Sequence, residues 1–133
     1  MSKSNFSLFS ICILSVSLFA CSSIALNPAA ANVYVAPSSS QQIPYGCKYL
    51  GQVTGSQGNF FTGTYTSNSK LAAGAMNDLR NQTQKIGGNY VQLMTNQAST
   101  TGSGGLLGDG LQQTGVVNTG NVYNCPESSL PMM

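Results

Sequence analysis

The residue types that carry most protein chemistry are scarce in this chain of 133 residues: it has no His, three acidic side chains (Asp78, Asp109 and Glu127) and four Cys. Without an imidazole there is no Ser-His-Asp or Cys-His nucleophile and no His-ligated zinc. The carboxylates fall in three different segments, and nothing pairs them as acid and base. Ser and Thr are abundant, yet none has a recognisable activating partner. The run Gly102-Ser103-Gly104-Gly105-Leu106-Leu107-Gly108-Asp109-Gly110 has glycines that would let backbone N–H groups approach an anion. A phosphate-binding loop, however, must open a helix or carry Gly-Lys-Ser or Gly-Lys-Thr, and a calcium-binding GGxGxD repeat needs another spacing and recurrence. The expectation is a protein that is not an enzyme and takes no cofactor and no metal. The Gly-rich run reads as an exposed loop over 96–110, with Leu106 and Leu107 as contact candidates.

Charge narrows the partners further. Five Lys or Arg against three Asp or Glu give a net charge of +2, too weak a field to hold a phosphate backbone, so nucleic acid is not an expected partner. Charged residues make up 6% of the chain, where soluble domains carry about 25%. Amides, hydroxyls and Gly take their place. Such a surface suits packing against other proteins, and no small-molecule substrate is expected.

The N-terminus reads as an export signal. Lys3 supplies the positive charge, and an apolar run from Phe6 to Phe19 ends at Cys21-Ser22-Ser23, short of the roughly 20 residues that cross a bilayer. Leu18-Phe19-Ala20-Cys21 resembles the lipobox of bacterial lipoproteins. That resemblance implies a signal peptide over 1–20 and a mature N-terminus at Cys21 carrying lipid, including palmitate. Ser22 after the Cys implies the bacterial outer membrane, with the domain in the periplasm or at the cell surface. A multiply acylated Cys is a stable anchor. An ordinary signal peptide cut near Ala20 is the alternative.

Cys12 falls within the signal and Cys21 takes the lipid, which leaves Cys47 and Cys125. In an exported chain two remaining thiols most simply form one disulfide, worth about 4–5 kcal/mol in the chain-entropy model for a loop of this length. The alternative, a redox or metal site, lacks a CxxC pair and a neighbouring His.

Residues 21–46 read as a flexible tether of Ala, Ser, Pro, Gln and Asn. Within it, Val33-Tyr34-Val35 is either a strand that adds to a partner's sheet edge or part of a solvated spacer. A β-branched and aromatic segment over 48–54, closed by Gly55, predicts a strand. Residues 58–68 hold Phe60, Phe61 and Tyr65, which either form a contact surface or pack under a helix. That helix is predicted over 69–86. Leu71, Ala72, Ala75, Met76, Leu79, Thr83 and Ile86 make its apolar stripe, Asn68 or Ser69 its cap and Gly87-Gly88 its stop, while Asp78 and Arg80 read as solvated. Strands follow over 90–95 and 115–124, the latter weakened or bulged by Gly120. The predicted fold class is α+β: a small three- or four-stranded sheet with one covering helix, in strand-helix-strand-strand order, with one disulfide. The expected domain runs over 47–126, followed by a tail over 127–133.

Three stretches carry a family resemblance: Leu50-Gly51-Gln52-Val53-Thr54-Gly55, then Leu79 through Ile86-Gly87-Gly88-Asn89-Tyr90-Val91, and Gly120-Asn121-Val122-Tyr123-Asn124-Cys125. Together they resemble short bacterial lipoproteins of unknown function and, more distantly, the periplasmic domain of RcsF, an outer-membrane lipoprotein that senses envelope stress. The resemblance implies a compact α+β domain, a disulfide joining first and last strands, and no catalytic centre. It departs from the stress sensor, which has four Cys in two bridges and a tether rich in Pro and cations. The expected function is that of a structural or interaction component of an envelope protein assembly, such as a type IV secretion outer-membrane complex. The expected partners are the outer membrane, through Cys21, and other envelope proteins. An envelope-stress sensor and a small ligand-binding protein or hydrolase using the Gly-rich loop are the alternatives.

Overall fold

The computed structural model describes residues 22–59, 63, 66–105 and 108–131, and only the backbone over 101–105 and 108–112. Four strands, β1 (Tyr34–Ala36), β2 (Lys48–Gln57), β3 (Tyr90–Gly105) and β4 (Gly108–Asn124), form one sheet in the order β1-β3-β4-β2. β1 runs parallel to β3, and the other pairings are antiparallel. A single long helix, α1 (Asn68–Lys85), connects β2 to β3 and covers one face, which is the expected α+β arrangement.

α1 follows from the spacing of its apolar residues. Leu71, Gly74, Ala75, Leu79 and Thr83 are buried, and Met76 packs beside them. The stripe is narrower than expected, because Ala72 and Ile86 are exposed. Ser67 is the N-cap residue in place of Asn68 or Ser69, and its hydroxyl bonds to the Ser69 hydroxyl (3.2 Å). At the other end Gly87 takes φ +83°, its N–H donates to Gln84 O and the Gly88 N–H donates to Thr83 O. This is the Schellman pair of bonds that satisfies the last carbonyls of a helix.

Under the helix, Leu79 meets Val91 and Val122, all fully buried, with Val53 and Leu93 alongside. Each such side chain contributes roughly 1.5–3 kcal/mol. A second patch joins Leu71, Ala75 and Val116. β2 does not stop at Gly55 but continues through it to Gln57. Here α1 lies so close that a Cβ on Gly55 would overlap the Leu79 backbone, so the glycine serves helix-to-strand approach and not termination.

Two regions that composition marks as irregular are ordered. The first is the expected tether over 21–46: from Ser22 onward it wraps the domain. Its 3-10 turn Pro28–Ala30 is capped by Asn27 and seats Ala30 and Val33 in the core beside Leu79. β1 then pairs with β3, and Ala36 and Ile43 pass over the opposite face toward Cys47. The second is the expected loop over 96–110, which is instead the distal part of a β3–β4 hairpin paired from Tyr90↔Tyr123 to Gly105↔Gly108. Its Gly, Ser and Thr residues carry no apolar period to reveal a strand. The pairing register, with irregularities at Leu93/Thr95 and Ser99/Thr100, supplies the order. Gly120 lies within regular pairing opposite Leu93, and the extra residue sits on β3 at Met94.

Candidate interaction surfaces

At one end of the sheet four tyrosines form a row across all four strands. Tyr34 pairs with Tyr90, Tyr90 with Tyr123 and Tyr123 with Tyr49, with ring centroids 5.4, 6.1 and 5.5 Å apart. Aromatic cross-strand pairs at these spacings contribute roughly 0.5–1.5 kcal/mol each beyond their buried area. The Cys47–Cys125 disulfide closes the same end, and Cys125 packs with Tyr90 and Ala36. Asn89 locks it further: its Oδ1 accepts from the Cys125 N–H (2.8 Å) and its Nδ2 donates to Cys125 O (2.7 Å). Burial pushes the Tyr90 phenol above its ordinary pKa, and the neighbouring Tyr34 and Tyr123 add to the shift. The Tyr90 hydroxyl is buried without a hydrogen-bond partner.

Beyond the tyrosines the face opposite α1 continues as rows of uncharged, mostly polar residues. The register places Gln92, Asn121 and Gln52 in one row, Thr95, Thr119 and Thr54 in the next, and Gln97, Val117 and Ser56 after that. Gln92 is buried because residues 37–43 cross over it, and its Nε2 donates to Ser39 O (3.1 Å) and Gln41 O (2.6 Å). The remaining rows are open. Gln52 Nε2 donates to Asn121 Oδ1 (3.5 Å), and the Thr54 and Thr119 hydroxyls share a bond of 3.3 Å. No side chain in these three rows is ionisable, so the open part presents mostly amide and hydroxyl groups, beside the exposed Met94, whose Sδ accepts from Asn121 Nδ2 (3.4 Å). Beside it, β1 ends at Ala36 and covers β3 only at Tyr90–Gln92. A cavity of 220 Å³ lies in the notch between residues 37–39 and 93–96.

A third polar arrangement lies on α1, and sequence reasoning missed it. Gln57, Asn77 and Asn81 hold the backbone of residues 22–27. Gln57 Oε1 accepts from the Ile24 N–H (2.6 Å), and its Nε2 donates to Ser22 O (3.2 Å). Asn77 Nδ2 donates to Ile24 O (2.8 Å), Asn81 Nδ2 donates to Ala25 O (3.0 Å), and Asn81 Oδ1 accepts from the Asn27 N–H (2.8 Å). The i, i+4 spacing of Asn77 and Asn81 aligns both amides along one helix face, the only trace of this arrangement in the sequence. Gly74 completes it, since a Cβ there would collide with the Gln57 carboxamide. Asp78 is half-exposed, and it is also engaged: it accepts from the Ser56 N–H (2.8 Å) and from Gln82 Nε2 (3.2 Å), tying α1 to the edge of β2. Arg80 is half-exposed, although its Nε is buried without a hydrogen-bond partner among the described residues.

Of the contact candidates, Val33 is buried in the core while Tyr34 and Val35 are half-buried in β1. Their strand adds to this domain's own sheet, because a parallel partner at β3 is already supplied. Cys21, Phe60, Phe61, Tyr65, Leu106 and Leu107 lie outside the described residues. Among the described residues no group of three His, Cys, Asp or Glu converges to hold a metal, and no helix is long and apolar enough to cross a membrane.

Comparison with known proteins places this geometry in a family. Residues 24–125 match the model of a domain of unknown function, DUF4156, and the chain belongs to that family. It is similar to the uncharacterized protein YjeI of Escherichia coli strain K12 and to the proteins of the same name from Escherichia coli O6:H1 and Shigella flexneri. In each case it is 31% identical over 80 residues, which are 60% of this chain and 63% of the relative. The similarity thus spans less than two thirds of those relatives' length. No solved structure matches. The family boundary at residue 24 agrees with a domain that includes the wrapped N-terminal segment.

Proposed function

We propose that this DUF4156 protein is a non-catalytic lipoprotein of the bacterial outer membrane, held by lipid on Cys21, and that its domain is an interaction component of an envelope protein assembly. The observation that carries the reading is the open half of the sheet. Gln52, Thr54, Ser56, Thr95, Gln97, Thr119 and Asn121 present hydrogen-bonding groups without charge across three strands. Such a face can dock a protein surface through distributed hydrogen bonds. The notch beside β3 extends the face along an edge that no described strand pairs beyond Gln92, where an extended segment of a partner would continue the sheet.

The anchor half of the proposal rests on the Leu18-Phe19-Ala20-Cys21 sequence. Cys21→Ser is expected to move the protein out of the membrane fraction, and persistence there after a high-salt wash would refute a lipid anchor. The assembly half is tested by crosslinking the lipidated protein in native membranes, affinity purification and mass spectrometry. A stoichiometric set of envelope subunits is the expected result, and their identities would show whether the assembly is a secretion complex. Recovery of the protein alone would overturn the scaffold role.

A further inference from the structure

An exposed strand edge offers unpaired N–H and C=O groups to other chains, and natural edges are blunted by brevity, charge, Pro or irregular pairing. β1 has three residues and is followed by Pro37. β2 starts at Lys48, breaks register between Tyr49 and Gly51, and gives its Ser56 N–H to Asp78. The edge of β3 is different. Beyond Gln92, where β1 leaves it, no described strand lies beside it, and the stretch from Leu93 to Gly105 holds neither charge nor Pro. Its extra residue sits at Met94, and the second irregularity inserts Thr114 into β4, so β3 itself runs unbroken from Thr95. Side chains of a strand point alternately to its two faces, yet every residue from Met94 to Thr100 is exposed, so neither face is covered here.

Resting on the docking reading above and naming its occupant, we infer that this edge pairs with β3 of a second copy, antiparallel about a two-fold axis at Ser99, joining two sheets into one. Charge favours the chain's own copy. A two-fold pairing of strands sets like charges close together, and this edge has none to repel. The free length sets the register: β1 occupies the edge up to Gln92, the hairpin closes at Gly105↔Gly108, and Ser99 is the midpoint of what lies between. Centred there, Leu93-Met94-Thr95-Asn96-Gln97 of one copy lies opposite Thr101-Gly102-Ser103-Gly104-Gly105 of the other. The smaller residues thus enter beside residues 37–39, where the notch of 220 Å³ limits the room. Backbone direction agrees with this register. The Ser99 carbonyl accepts from the Thr114 hydroxyl (3.4 Å) and so points toward β4, which turns the carbonyls of Ala98 and Thr100 to the open edge. Those two residues oppose each other across the axis and exchange hydrogen bonds.

The test is copper-phenanthroline oxidation of the full lipidated chain carrying Ser99→Cys in native membranes, read on a non-reducing gel. Cys47 and Cys125 are bridged, so with Cys21 lipidated the introduced thiol has no partner within its own chain. Residues opposite each other at a non-hydrogen-bonded site have Cα atoms about 4.5 Å apart, within reach of a disulfide. Ser99→Cys should therefore shift to a band of twice the monomer mass. Asn96→Cys, whose two copies would stand roughly 20 Å apart along the strands, should stay monomeric, as should Thr54→Cys on β2. In chemical crosslinking, Ser99→Lys and Ser99→Glu should each lose the dimer, and their coexpression should restore it. Equal crosslinking of Ser99→Cys and Thr54→Cys would overturn the inference. Capture of a different envelope protein at Ser99→Cys would overturn the second copy but leave the docking edge standing, whereas no crosslink to any protein would remove both.

Discussion

The two faces of the sheet are held by different physics. Beneath α1, Leu79, Val91 and Val122 exclude water, and glycines at 55 and 74 allow backbone and carboxamide to approach the helix and strand closely. The opposite face has a smaller buried cluster at the disulfide end, around Ala36, Tyr90 and Cys125, and beyond it matched rows of mostly amide and hydroxyl side chains joined by cross-strand pairs. The difference teaches that beyond the tyrosine row and the disulfide the second face adds little to the core, and that open part is the one we propose meets a partner. A face that is not needed for the core can be changed without unfolding the domain, and that separates the proposed function from stability.

The largest effect is expected on the helix side. Leu79→Asp puts an unpaired carboxylate at a site with no solvent exposure and should abolish the far-UV circular dichroism of the folded state, whereas Leu79→Ala should cost about 2–5 kcal/mol. Retained ellipticity in Leu79→Asp would show that the core lies elsewhere.

Next comes the disulfide, which closes a sequence separation of 78 residues. Cys47→Ser and Cys125→Ser should each lower stability by about 4 kcal/mol in urea denaturation, by similar amounts. Strongly unequal losses would contradict a bridge acting through loop closure.

The wrapped segment should respond more mildly. Gln92→Ala leaves the carbonyls of Ser39 and Gln41 without their side-chain donor and is expected to cost about 1–3 kcal/mol. Limited proteolysis between residues 37 and 46 should accelerate in this variant. An unchanged cleavage pattern would mean that another contact holds the segment down.

How much of this was legible in the sequence follows the same division. α1 and the strands beneath it declare themselves through apolar spacing, as Leu71, Ala75 and Leu79 show, and the Cys47–Cys125 pairing follows once Cys12 and Cys21 are set aside. The wrapped N-terminus does not declare itself. Its order comes from Gln57, Asn77, Asn81 and Gln92, polar residues up to 56 positions away in sequence. Nor does the distal hairpin, whose Gly, Ser and Thr residues share the composition of a loop and differ only in having a partner strand. The open face escaped notice for a related reason: its rows exist only after the register of three strands is known.

A small stabilising effect is expected at Tyr90. Its hydroxyl is buried without a partner, so Tyr90→Phe should stabilise the domain by up to about 1 kcal/mol at neutral pH. Since the folded-state pKa is raised, the native state holds its phenolic proton at pH values where the unfolded chain has begun to release it. This contribution is therefore present in full below the unfolded value of about 10 and is lost as pH rises through the folded one. Thermal melts of the wild type should fall more steeply above pH 10 than those of Tyr90→Phe, and identical alkaline slopes would contradict the burial argument.

The central claim, that the uncharged face docks an envelope partner while the helix side holds the fold, is tested most directly by charging that face alone. Gln52 and Thr54 are both exposed, and Gln52→Lys/Thr54→Lys should alter stability by no more than about 0.5 kcal/mol per site. Quantitative co-purification from native membranes, at matched yield of the lipidated protein, would compare this variant with the wild type. The account predicts that the stoichiometric partners seen with the wild type are lost from the variant while its melting curve is preserved. Retention of the same partners in the same ratios would contradict it.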